Sequence, residues 1–130
     1  MKQTNLAKLL IASFIIFSLS YPLGGCHPQP SGEIEVRVIV SQDFGNEIML
    51  DKPVTVNNGS NAMDALQKVA IVEAKYGGGF IASINGVKSR YPEINKDWFF
   101  NVNGMSAKIG ALDYKLCNGD IEHWDFHDWS

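Results

Sequence analysis

Residues 98–124 read WFFNVNGMSAKIGALDYKLCNGDIEHW, and two Asn-Gly pairs, Asn103-Gly104 and Asn118-Gly119, stand between its apolar runs. Asn-Gly is the strongest short-range hairpin signal, because both residues tolerate the positive φ that a tight turn of the right twist requires. A sheet built from tight hairpins is therefore expected. A third pair, Asn85-Gly86, closes the alternating run FIASI at 80–84 and adds another strand and turn. After the first hairpin, at 98–102 and 105–109, come a turn near Gly110, a short segment at 114–117 and a last strand at 121–126.

Upstream, EIEVRVIV at 33–40 alternates with Ile34, Val36, Val38 and Val40 on one face, the pattern of a half-buried strand. A second strand is expected at 47–50 and 54–56, interrupted at 51–53. Pro53 cannot donate to a ladder, so this strand is bent or at an edge. Ser60 or Asn61 can cap a helix that runs on through Ala62, Met63, Leu66, Val69 and Ala70 as far as Ala74, with the glycines after Tyr76 closing it. Residues 87–96 are polar, contain Pro92, and read as a surface loop. The order strand, strand, helix, strand, hairpin, strand is α+β, a β-grasp-like mixed sheet with one covering helix. A small α/β sandwich of different strand order is the alternative.

Residues 1–25 open with Lys2 and Lys8 and continue into the apolar run 9–19, which is too short to span a membrane and matches the core of a signal peptide. Leu23-Gly24-Gly25-Cys26 resembles the bacterial lipobox. The resemblance implies that Cys26 becomes the first mature residue and carries lipid, that residues 26–32 form a short lipidated tether, and that residues 33–130 form the folded domain. The protein is then extracytoplasmic, anchored to the cell membrane or outer membrane. With Cys26 consumed by lipid, no internal disulfide is expected, and Cys117 reads as a small buried hydrophobe. Removing residues 1–25 leaves nine basic residues against fourteen acidic ones, a net charge of minus five, which offers no electrostatic footprint for nucleic acid.

No nucleophile stands beside a base. Ser60, Ser83, Ser89 and Ser106 have no nearby histidine in sequence and the carboxylates are scattered, so a non-enzymatic binding module is expected. The densest polar cluster is IEHWDFHD at 121–128. On a strand His123, Asp125 and His127 point to one side, about 7 Å between alternate residues, and would converge on a divalent metal only if the strand curled. Three ligands with no second cluster favour a solvated face opposite Trp124 and Phe126, and no metal site is expected. The aromatic residues carry more weight. Trp98, Phe99, Phe100, Tyr114, Trp124, Phe126 and Trp129 crowd one third of the chain, and alternation puts Trp98 and Phe99 on opposite faces. Rings left outside the helix-covered face would mark a binding site or a partner contact, unless loops or the C-terminus cover them.

The runs VTVNNGSNAMDALQKVA at 54–70, FIASINGV at 80–87, WFFNVNG at 98–104, GALDY at 110–114 and NGDI at 118–121 together resemble the C-terminal β-domain shared by transcobalamin, intrinsic factor and many bacterial surface proteins. In the vertebrate carriers that domain closes over cobalamin like a lid on a helical barrel, and the barrel is missing here. The resemblance implies a surface that contacts cobalamin or another corrinoid, on the hairpin around Trp98 and the loop before Gly110, with Trp98, Lys108 and Ile109 as ligand-binding positions. No cofactor is required, and cobalamin enters as a bound ligand. A membrane transporter that receives the corrinoid is the implied partner. The alternative is a surface protein–protein interaction or adhesion module with no small-molecule ligand.

Overall fold

The computed structural model describes residues 32–129. The expected signal peptide, lipidated Cys26 and most of the tether lie outside that range. Strand β1 (Glu33–Gln42) turns back into β2 (Glu47–Asn57), helix α1 (Ala62–Val69) follows, and then come β3 (Val72–Lys75), β4 (Phe80–Ile84), β5 (Val87–Lys88), β6 (Lys96–Val102), β7 (Met105–Ser106) and β8 (Ile121–Asp128). Five strands form one sheet in the order β2-β1-β8-β6-β7, and β3-β4-β5 form a second. β8 lies parallel to β1 and antiparallel to β6, so the sheet is mixed, and the fold is α+β and β-grasp-like. Among the described residues no helix is long and apolar enough to cross a membrane.

Alternation builds the core. Ile34, Val36, Val38 and Val40 of β1, Val54 and Val56 of β2, and Trp124 and Phe126 of β8 share a face with Trp98 and Val102 of β6. Ala62, Met63, Ala65 and Leu66 of α1 and Ile81 and Ile84 of β4 complete the cluster from above. Two aromatic pairs stand directly opposite each other across β6 and β8. Trp98 meets Phe126 with ring centroids 5.1 Å apart, and Phe100 stacks on Trp124 at 4.6 Å.

Three expectations are corrected. β2 runs unbroken through Pro53, which is tolerated because β2 is an edge strand. Helix α1 starts as expected, with Asn61 and Asp64 exchanging side-chain-to-amide bonds of 2.8 and 3.0 Å in a capping box, but it stops at Val69 instead of reaching Ala74. Asn85 takes both backbone groups of Ile71, its amide through Oδ1 at 2.8 Å and its carbonyl at 2.8 Å, and Val72 then pairs with Ile84. The glycines after Tyr76 therefore make the tight β3–β4 connection and do not cap a helix. Cys117, expected to form no disulfide, is half-buried and disulfide-bonded.

The Asn-Gly pairs divide into two kinds. Asn85-Gly86 and Asn103-Gly104 both have positive φ at both residues, as a two-residue hairpin turn requires. At Asn118-Gly119 only the glycine does, and the turn leads into β8 beside β1, so it closes no hairpin. Asn118 Oδ1 instead accepts the Glu35 amide at 2.9 Å, and the Gly119 amide donates to the Glu35 carbonyl at 2.8 Å. Asp120 receives the Asn103 side-chain amide and the Cys117 backbone amide. The NGD run is a clasp that fixes where β8 enters the sheet.

One polar group sits in the core. Glu122 is fully buried between its register neighbours Val38 and Val102. The Trp124 indole N–H donates to Glu122 Oε1 at 2.6 Å, and Oε2 has no partner among the described residues. Burial pushes the carboxyl up to about 8 from an ordinary 4.5, against the opposing pull of the indole. The folded state therefore holds a proton that the unfolded chain releases between those two values, and stability falls as pH rises through that window. Urea unfolding of the wild type is expected to show a loss on the order of 3 kcal/mol from pH 5 to pH 8, and Glu122→Gln a flat profile. Parallel profiles for the two proteins would show that Glu122 is not the titrating group.

Candidate ligand-binding site

The covered face of the sheet opens in a cleft of about 230 Å³. Its floor is Trp98, Phe100 and Trp124, and its walls are the β3–β4 turn and residues 110–113. Helix α1 positions the second wall. The helix's first two amides, at Ala62 and Met63, donate to the carbonyls of Tyr114 and Ala111 at 2.9 and 3.3 Å, so a turn that accepts these bonds is locked to the helix end. The first wall needs glycine. Gly78 has φ +96°, a backbone conformation that strains any other residue, and a Cβ there would also lie 2.6 Å from Leu112 Cδ1 and push that side chain aside.

The expected site residues separate on this frame. Trp98 is 7% exposed and serves as floor, its indole N–H donating to the Val87 carbonyl at 3.0 Å. Lys108 and Ile109 are exposed on the segment that leads into the 110–113 wall and do not line the cleft. The groups free to touch a ligand are at the rim, Leu112 and Phe80, with Tyr76 set edge-on to Phe80 at 6.5 Å. Sequence reading missed them, although Leu112 lies within the quoted GALDY run.

The outer face of the sheet carries the histidines. His123, Asp125 and His127 project to one side of β8, as strand spacing requires, and Ser41 of β1 joins them from its register position opposite Asp125. Ser41 Oγ donates to Asp125 Oδ1, so the 2.6 Å contact between Ser41 Oγ and His123 Nε2 has the imidazole as donor. His123 is then no base for Ser41. Asp125 also accepts the amides of Phe44 and Gly45 at 2.8 and 2.9 Å and His127 Nδ1 at 2.6 Å. This is neither a solvated face nor a metal triad. Asp125 is buried, its oxygens are spoken for, and no group of three metal-ligating side chains is placed to hold an ion among the described residues. Burial pushes the Asp125 carboxyl up, but its four donors outweigh burial and hold it below the ordinary carboxylate value. Those bonds fasten the β1–β2 turn, where Asp43, Phe44 and Gly45 all have positive φ.

The family described as "Domain of unknown function (DUF4430)" matches residues 59–128. No curated protein matches the sequence. Among solved structures, haptocorrin in complex with Cbi is similar with a TM-score of 0.65 and 22% identity, over 78% of this chain and 27% of that one. A protein of Ruminococcus gnavus ATCC 29149, provisionally described as metal-binding, is similar with a TM-score of 0.56 and 12% identity, over 75% of this chain and 99% of that one. The chain thus shares its fold with about a quarter of the haptocorrin chain.

The Asp125 network sets the acid limit of the fold. Its contribution is fully present above the ordinary carboxylate pKa and is lost as pH falls through the lower folded value. Asp125→Asn is expected to cost about 1–3 kcal/mol at pH 7, read as a lower urea midpoint, with the gap to wild type closing in strong acid. Equal midpoints at pH 7 would remove Asp125 from this role.

Proposed function

The chain belongs to the DUF4430 family, and we propose that it is a non-enzymatic, lipid-anchored extracytoplasmic module that grips one edge of a corrinoid and passes it to a membrane uptake system. The observation that carries this reading is the cleft itself. An aromatic floor, an apolar rim and backbone-built walls stand where Trp98 and residues 110–113 meet. Such a surface suits a large ligand of mixed polarity, with ring contact from Leu112 and Phe80 and amide contact from the walls. Haptocorrin, which shares the fold, is known in complex with Cbi. At about 230 Å³ the cleft falls below the roughly 300–1,000 Å³ of sites that enclose a drug-sized ligand, so it takes an edge or side group of the corrinoid, and the rest is held by a partner surface.

Isothermal titration with cobinamide and with cobalamin is expected to give saturable binding. Leu112→Ala is expected to weaken it several-fold, because Leu112 is 42% exposed and its loss leaves the core intact. Trp98→Ala is the poorer probe, since truncating a buried tryptophan costs about 3–5 kcal/mol of stability. No heat at millimolar corrinoid sinks direct binding.

Anchoring has its own test. Cys26 and Cys117 are the chain's two cysteines, and a sulfur alkylated by lipid cannot also join a disulfide, so the proposed anchored form is one in which the bond at Cys117 is given up. Mass spectrometry of membrane-extracted protein without reductant is expected to find the lipid mass on a peptide beginning at Cys26. A lipid-free peptide cross-linked to Cys117 would overturn the anchor.

A further inference from the structure

A second cleft, of about 580 Å³, adjoins the first at the start of β6, and Phe80 and Asp97 line both. Its other walls are Tyr91, Asn95, Phe99 and Trp129. Four of the six lining side chains are aromatic, one is a carboxylate, one a carboxamide, and none is basic. Tyr91, Phe99 and Trp129 are 53%, 40% and 43% exposed, so their ring surface is open to a ligand.

The rings are set at angles to one another. Trp129 meets Phe99 nearly perpendicularly at 5.4 Å and meets Tyr91 at 37° and 5.7 Å. A flat sugar ring asks for one open platform, whereas these rings form a corner that fits a compact, rounded group. Phe99 is held from behind by His127, stacked at 4.5 Å, and His127 is held in turn by Asp125. The corner is therefore fixed before any ligand arrives.

Its polar groups choose the charge. Asp97 Oδ1 accepts the Trp98 amide at 2.8 Å, while Oδ2 and the Asn95 side chain have no partner among the described residues. Aromatic faces present negative quadrupole potential, and a carboxylate beside them adds a full negative charge, so the cleft attracts a cation whose surface is apolar. We propose that the cleft of Tyr91, Phe99, Trp129 and Asp97 is a binding site for quaternary ammonium compounds of the choline type. The proposal does not rest on the corrinoid reading, because Tyr91, Phe99 and Trp129 lie outside the first cleft, although Phe80 and Asp97 line both.

Isothermal titration of the full protein with choline, without any corrinoid, tests it. Saturable binding is expected, at least about tenfold tighter than that of choline's carbon isostere, in which a quaternary carbon replaces the nitrogen. Trp129→Ala is expected to weaken choline about tenfold, and Asp97→Asn several-fold, since asparagine still accepts the Trp98 amide and so keeps the local backbone. Both variants should give the wild-type circular dichroism spectrum, and Tyr91→Ala replaces either one that does not. Equal affinity for the carbon isostere, absence of binding at millimolar choline, or binding of maltose in place of choline would each overturn the assignment. Any of these results leaves the cobinamide titration unaffected.

Discussion

The structure depends on one strand being buried between two others. β8 sits between β1 and β6, parallel to the first and antiparallel to the second, so both of its edges are paired and both of its faces have work to do. Period-two alternation sends Glu122, Trp124 and Phe126 inward and His123, Asp125 and His127 outward. A one-residue slip would exchange the two sets and put three polar side chains into the core. The NGD clasp at 118–120 prevents that slip by bonding the chain to Glu35 and Arg37 just before the strand begins. The outward set then fastens the far end, where Asp125 gathers Ser41 from the neighbouring strand β1 and Phe44 and Gly45 from the turn that follows it.

What could be read from the sequence was mostly local. The Asn85-Gly86 and Asn103-Gly104 turns were legible because their backbone angles are intrinsic to the residue pair. Asn118-Gly119 has the same composition, but its role is set by Glu35, 83 residues away from Asn118 in the chain, and no local signal reports that partner. The helix start was legible in Asn61 and Asp64 for the same reason that its end was not. The cap lies within four residues, whereas the stop at Val69 comes from Asn85, which competes for the backbone of Ile71. The division of aromatic rings followed from alternation alone, with Trp98 inside and Phe99 outside. Alternation says nothing of what a ring touches, so the role of Trp98 as floor and of Leu112 as rim needed the fold. Ser41 went unnoticed because its histidine and aspartate lie 82 and 84 residues away.

The two buried carboxyls on β8 show how environment outweighs residue type. Glu122 and Asp125 are three residues apart, and both are almost removed from water. Glu122 has one donor and is pushed toward the neutral form, while Asp125 has four and is held as the anion. The difference is in the backbone opposite them. The inward side of β8 meets valine side chains, which offer no donor, whereas the outward side meets a turn whose two amides both donate to Asp125.

The same network explains why aromatic surface stays open at the edge of β6. Three exposed rings together would favour burial, at roughly 25 cal/mol for each Å² of apolar area removed from water, and a flexible chain end could fold over them. Trp129 is instead tied in place, its amide donating to the Asn95 carbonyl at 3.1 Å and its ring set against Phe99 and Tyr91. Phe99 cannot turn inward, because its strand neighbours Trp98 and Phe100 already occupy that face and its own ring is stacked on His127. His127 is clamped in turn between Phe44 at 4.1 Å and Phe99, with Asp125 fixing its Nδ1. A line of contacts thus runs from a buried carboxylate to the open rings, and each aromatic step in it is worth about 0.5–1.5 kcal/mol beyond its area. The open surface is a consequence of how tightly its supports are held, and a ligand meeting it finds little left to order.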